Sequence, residues 1–117
     1  MNNKYLEILR IEIDDLADDI GLLVDEYRKR RDKNEITNYV FLENLAVLHN
    51  EMQGVDSLVE VLDGINPNTY TDLDAMVSDI KDLMKAKIKT SDLAEALWTM
   101  VCRKADKVAA YIRRDLE

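Results

Sequence analysis

The 117-residue chain holds one cysteine, one proline, one histidine, one phenylalanine, one tryptophan and three glycines. Each scarcity excludes something. A lone Cys102 cannot close an internal disulfide, so stability has to come from a packed core, and a reduced, cytoplasmic setting is expected. One Pro67 and three glycines are too little punctuation for the tight turns of a multi-stranded sheet. A single His49, with Ala46 three residues before it, cannot supply the paired Glu-x-x-His motifs of a di-iron bundle. Nor is there the spacing, or a spare histidine, for a Ser/His/Asp or Cys/His set. No glycine-rich phosphate loop is present. No apolar run approaches the roughly 20 residues that span a bilayer. The chain opens without an apolar leader, and neither end carries a lipidation signal, so no membrane association is expected. No cofactor, metal or catalytic group is expected either.

Positive charge is missing from one long stretch. Between Asn34 and Ile80 there is no Lys or Arg, but there are nine acids: Glu35, Glu43, Glu51, Asp56, Glu60, Asp63, Asp72, Asp74 and Asp79. The rest of the chain carries 16 cationic and 15 acidic side chains, so the whole net charge of −8 arises in the middle. Such a field is either a solvated face or a docking surface for a basic partner, because it steers association.

What is abundant is helical pattern. A composition of 47% hydrophobic and 34% charged residues is that of a globular chain, and this length suits one domain over residues 1–117. Leu6, Leu9, Ile13, Leu16, Ile20, Leu23 and Tyr27 alternate strides of three and four, which keeps one apolar seam along a first helix from about Asn3 to Asp32. It closes on Arg28, Lys29, Arg30 and Arg31, cations that suit the negative end of a helix dipole. Thr37 caps a second helix with the seam Phe41, Leu45, Leu48, Met52, Val55, Val59 and Leu62, stopped by Gly64 and Asn66-Pro67-Asn68. Thr71 and Asp74 resemble a capping box before a shorter third helix bearing Leu73, Met76, Val77, Ile80, Leu83 and Met84. Thr90 or Ser91 caps a fourth, whose inward face is Leu93, Leu97, Val101, Val108, Tyr111 and Ile112. Short connections predict an all-α, antiparallel up-down-up-down four-helix bundle with long helices 1, 2 and 4 and a shorter helix 3. The long helices would overhang helix 3 and leave part of a seam open to another chain.

Several constellations bear on chemistry. Asp14-Asp15-Leu16-Ala17-Asp18-Asp19 matches the DDxxD pattern of isoprenoid synthases, but Leu16 on the seam turns all four carboxylates to solvent. Glu60-Val61-Leu62-Asp63 resembles half of the carboxylate motif of MazG-like pyrophosphohydrolases, and its ExxE partner is missing. His49, on the flank of helix 2, gives the chain a partial resemblance to histidine phosphotransfer domains, which implies an imidazole that carries a phosphoryl group. The Lys expected three residues on is Met52, and Gly54 stands one step late. Lys104 lies toward the core side of helix 4, where its stem snorkels to an acid or, with a depressed pKa, becomes functional. Trp98 and Cys102 sit on the helix flank. Arg28, Arg30 and Arg31 at the end of helix 1 are expected to share one pole with Lys85, Lys87 and Lys89 of helix 3, a possible anion contact; nucleic acid as partner is not favoured.

These observations lead to an expectation of a non-enzymatic interaction or adaptor protein. It would dock a basic protein on Glu43, Glu51, Asp56 and Glu60. Self-association as a homodimer is expected through Ile8, Ile11 and Leu22 on the outer face of helix 1. Two alternatives stand beside it: a small acidic regulator or inhibitor of a nucleic-acid enzyme, and a phosphotransfer-like module using His49.

Overall fold

The computed structural model describes residues 1–93 and 95–115, and among these there are four α-helices and no strand. Helix α1 spans Asn2–Asp32, α2 Asn38–Asp63, α3 Leu73–Thr90 and α4 Glu95–Asp115, with one 3-10 turn at Pro67–Thr69. Packing runs round the ring α1–α2–α3–α4 and back to α1, as an up-down-up-down bundle requires. Helix 3 is the shortest at 18 residues, and α4, at 21, is much nearer to it than to α1 at 31 or α2 at 26.

Local chemistry sets each helix end. Thr37 accepts from the Val40 amide at 3.1 Å and starts α2. The cap of α3 is Asp72, whose carboxylate accepts from Ala75 N at 2.8 Å; the expected Thr71 cap is displaced by one residue. Neither Thr90 nor Ser91 starts α4. Thr90 is the last residue of α3, its hydroxyl donating back to the Ala86 and Lys87 carbonyls, and Ser91 is the C-cap. Both α1 and α3 end without glycine. Asn34 and Asp92 take φ of 61° and 53°, in the left-handed region. The following amides, Glu35 N and Leu93 N, return to Arg30 O and Ile88 O, each at 2.9 Å, which makes two Schellman turns.

The core is apolar throughout, with no buried polar or charged residue among those described. Tyr5, Leu9, Ile13, Leu58, Val55, Met76, Ile80, Met84 and Val101 are wholly enclosed. Tyr5 keeps its hydroxyl satisfied by donating to Ala105 O at 3.1 Å, and burial pushes its phenol well above the ordinary range. Cross-helix ion pairs fix the register: Arg10–Asp63 at 2.9 Å between α1 and α2, Lys104–Glu12 at 2.8 Å between α4 and α1, and Lys81–Asp106 at 2.5 Å between α3 and α4.

That register places the start of α4 beside Gly21 of α1 and Met52 of α2, counting equal rises along antiparallel helices. Gly54 confirms the level. A Cβ there would stand 3.0 Å from both methyls of Leu93 and 3.2 Å from Leu97, so the missing side chain lets the α3–α4 turn seat on the middle of α2. Beyond that seat α1 and α2 run on alone as a two-helix arm, and the molecule reaches 55 Å along its long axis.

Two outcomes follow. Gly54→Leu should lower the unfolding free energy by about 1–3 kcal/mol through overpacking, measured by urea denaturation. Asp92→Gly should raise it by about 1 kcal/mol, because glycine holds a left-handed φ without Cβ strain.

Candidate interaction surface

The arm explains where the seam expectations fail. Leu23 lies in line with Leu16 and Ile20, on the flank of α1 that α4 covers lower down, yet it is 49% exposed because α4 has already ended. Val24, one residue on and turned toward α2, takes the buried place. Val40 and Val47 continue the flank of α2 that carries Leu58 and Gly54 against the α3–α4 hairpin, and they too are exposed, Val47 by 58%. Phe41 is buried, but outside the main core: the Arg31 guanidinium lies over its ring at 4.3 Å from the centroid. Leu83 and Tyr111, expected inward, are largely exposed, while Ala105 and Ala109 occupy the inward line of α4 beside Val108 and Ile112.

Of the eleven large exposed hydrophobic residues described, six are on the arm: Leu22, Leu23, Tyr39, Val40, Leu42 and Val47. They divide between two faces. At about 100° per residue, Leu23, Val40 and Val47, with half-buried Tyr27, face the side from which α3 and α4 are missing. Leu22 points to the outside of α1. Ile11, 60% exposed, shares that outer line with Leu22, three turns away, whereas Ile8 is half-buried and packs against the core.

The four carboxylates expected to dock a partner occupy two flanks of α2. Asp56 and Glu60 lie together on the flank beside α1, exposed; Glu43 and Glu51 lie on the flank of Val47, with Glu51 half-buried. Among the described residues none of the four is in an ion pair, in contrast to Asp63, held by Arg10.

His49 is exposed and lines an open groove between α1 and α2 with Asp18, Gly21, Asp25, Arg28 and Met52. Arg28 brings into that groove a cation that α2 lacks, though its guanidinium is bonded to Asp25 at 3.3 Å. Among the described residues no three His, Cys, Asp or Glu side chains are arranged to hold a metal ion. Lys104 does snorkel: its ammonium meets Glu12, and this hydrogen bond raises its pKa rather than depressing it. Trp98 is half-buried with its indole N–H lacking an acceptor among the described residues, and Lys85 lies over its ring at 5.1 Å. Burial raises the Cys102 thiol pKa, which disfavours the thiolate.

The single basic pole does not form. The C-termini of α1 and α3 point the same way, but α3 stops at the level of Gly54, so Lys85, Lys87 and Lys89 stay at the base of the arm, about 15 Å from Arg28, Arg30 and Arg31 near its tip. No helix is long and apolar enough to cross a membrane among the described residues. No protein-family model, curated protein or solved structure matches the chain.

The Glu12–Lys104 pair carries a pH signature. The Lys104 hydrogen bond holds the Glu12 carboxyl below its ordinary 4.5, so the pair stabilises the fold above that pH and its contribution fades as pH falls through the lowered value. Glu12→Gln should therefore melt below wild type at pH 7, and the gap should close as pH drops below 4.5, read by thermal denaturation across pH.

Proposed function

We propose that the protein is a non-catalytic helical interaction module that engages a basic protein partner through the carboxylates of α2. The observation that carries this reading is the set Glu43, Glu51, Asp56 and Glu60, without ion-pair partners among the described residues, on a helix that has no Lys or Arg from end to end. Three other acids do meet cations across helices, in the pairs Arg10–Asp63, Lys104–Glu12 and Lys81–Asp106. Carboxylates left uncompensated on a rigid helix attract a counter-charge and speed encounter with a basic surface. Single exposed pairs contribute roughly 0–1 kcal/mol each, so recognition has to be collective. The open groove and apolar arm beside these acids add contact area that charge alone does not provide.

Reversing Glu43, Glu51, Asp56 and Glu60 together to Lys should reduce capture of basic proteins at least tenfold. Reversing Asp14, Asp15, Asp18 and Asp19 should have a smaller effect. Wild-type capture should fall as added salt shortens the screening length to below roughly 8–10 Å. Equal loss from the α1 acids, or binding indifferent to salt, would refute the reading. The measurement is retention on the immobilised protein in a salt series, with bound proteins identified by mass.

A further inference from the structure

We infer that the open face of the α1–α2 arm takes the same arm of a second copy of this chain, antiparallel, so that two arms together make the four-helix layer that each lacks. This goes beyond the binding of a basic partner and does not depend on it.

Three observations select this occupant. The first is shape. In the body of the molecule, α3 and α4 cover one face of the α1–α2 pair and stop at the Leu93–Gly54 seat. Past that seat the same face continues as exposed Leu23, Val40 and Val47 and half-buried Tyr27, with no further helix upon it among the described residues. What fits there is another antiparallel helix pair of the arm's own length and spacing. The partner arm must enter tip-first toward the α3–α4 turn. The opposite orientation, tip beside tip, would put the two α3–α4 hairpins at the same level on facing surfaces, in the same space. The permitted arrangement has a two-fold axis across the middle of the arms, with α1 against α1 and α2 against α2.

The second is charge. Along the arm, α1 carries Asp25 and Glu26 near its middle and Arg28, Lys29, Arg30, Arg31 and Lys33 toward its tip. Antiparallel α1 helices keep the two basic tips apart; parallel ones would set like on like. The ends agree. The partner's basic α1 tip abuts the start of α4, where Asp92 and Glu95 lie, and the partner's Glu35 and Glu43 approach Lys87 and Lys89 at the end of α3. Both junctions join a helix C-terminus to a helix N-terminus, so the dipoles also run head to tail.

The third is area. An arm of about 20 Å by two helix widths presents a face on the order of 400 Å², and with the end contacts two copies bury roughly 1,000 Å² in total, near the lower bound for a specific complex. A contact of that size suits a reversible dimer. Such a dimer covers the Glu43–Glu51 flank of α2, so a basic partner that uses all four carboxylates competes with it for that flank.

The test is sedimentation equilibrium of the full chain from about 1 to 500 μM. Wild type should dimerise. Leu23→Glu with Val47→Glu, both at exposed positions, should weaken the dimer more than tenfold with helicity and melting temperature retained. Ile11→Lys with Leu22→Lys, on the outer face, should leave it intact. Orientation is read independently by oxidation on a Cys102→Ser background: Lys33→Cys mixed with Glu95→Cys should cross-link to each other in preference to either with itself. A wild type that stays monomeric at 500 μM would overturn the inference. So would a dimer lost on changing Ile11 and Leu22 alone, or preferential cross-linking of Lys33→Cys to itself.

Discussion

The seam of α1 is longer than anything the chain provides to cover it, and much of the structure follows from that mismatch. Thirty-one residues of α1 and twenty-six of α2 pair along their lengths, while α3 and α4 return after 18 and 21. The place where coverage ends is set by one close approach: Gly54 lacks a side chain, Leu93 fills the space, and the α3–α4 turn can advance no further along α2. Below that seat the core is apolar and continuous from Tyr5 to Ile20, and it extends above it through Val24 and Leu48, while the outer flank presents Leu23, Val40 and Val47 to water. One periodic pattern thus serves as core in half of the molecule and as surface in the other half.

The charges divide along the same boundary. In the body, acids and bases on different helices meet: Glu12 with Lys104, Asp63 with Arg10, Asp106 with Lys81, Asp74 with Arg113. These exposed or half-exposed pairs add little stability individually, but they agree with one antiparallel register and disfavour slipped alternatives. On the arm the pairs among the described residues are local, as in Arg28 with Asp25 and Arg30 with Glu26, and α2 offers no cation at all. A surface that combines carboxylates without cross-helix partners among the described residues, a basic tip and exposed aliphatic residues is suited to association.

Much of the fold was legible because helix periodicity is a one-dimensional signal. The strides through Leu9, Ile13, Leu16 and Ile20, the Thr37 cap and the Gly64–Pro67 break each depend on residues close in sequence, and each stands where the pattern puts it. The snorkelling of Lys104 was legible for a similar reason, since a cation on an otherwise apolar line has few ways to be solvated. Misreadings collect at the α3–α4 turn. Thr90 and Ser91 have the chemistry of an N-cap but close the preceding helix, because Asp92 takes the left-handed position that glycine usually holds. The shift shortens α4, and with it the cover over Leu23.

What the sequence by itself determined is the number of helices, their order, their inward stripes and the concentration of negative charge between Asn34 and Ile80, all properties of neighbours along the chain. What only the tertiary structure decided is how far one hairpin slides along the other. That offset separates the lysines of α3 from the arginines of α1 and opens the face of the arm. It has no local signature, because a seam reads the same whether a helix covers it or not; coverage depends on where Leu93 meets Gly54, two residues 39 positions apart.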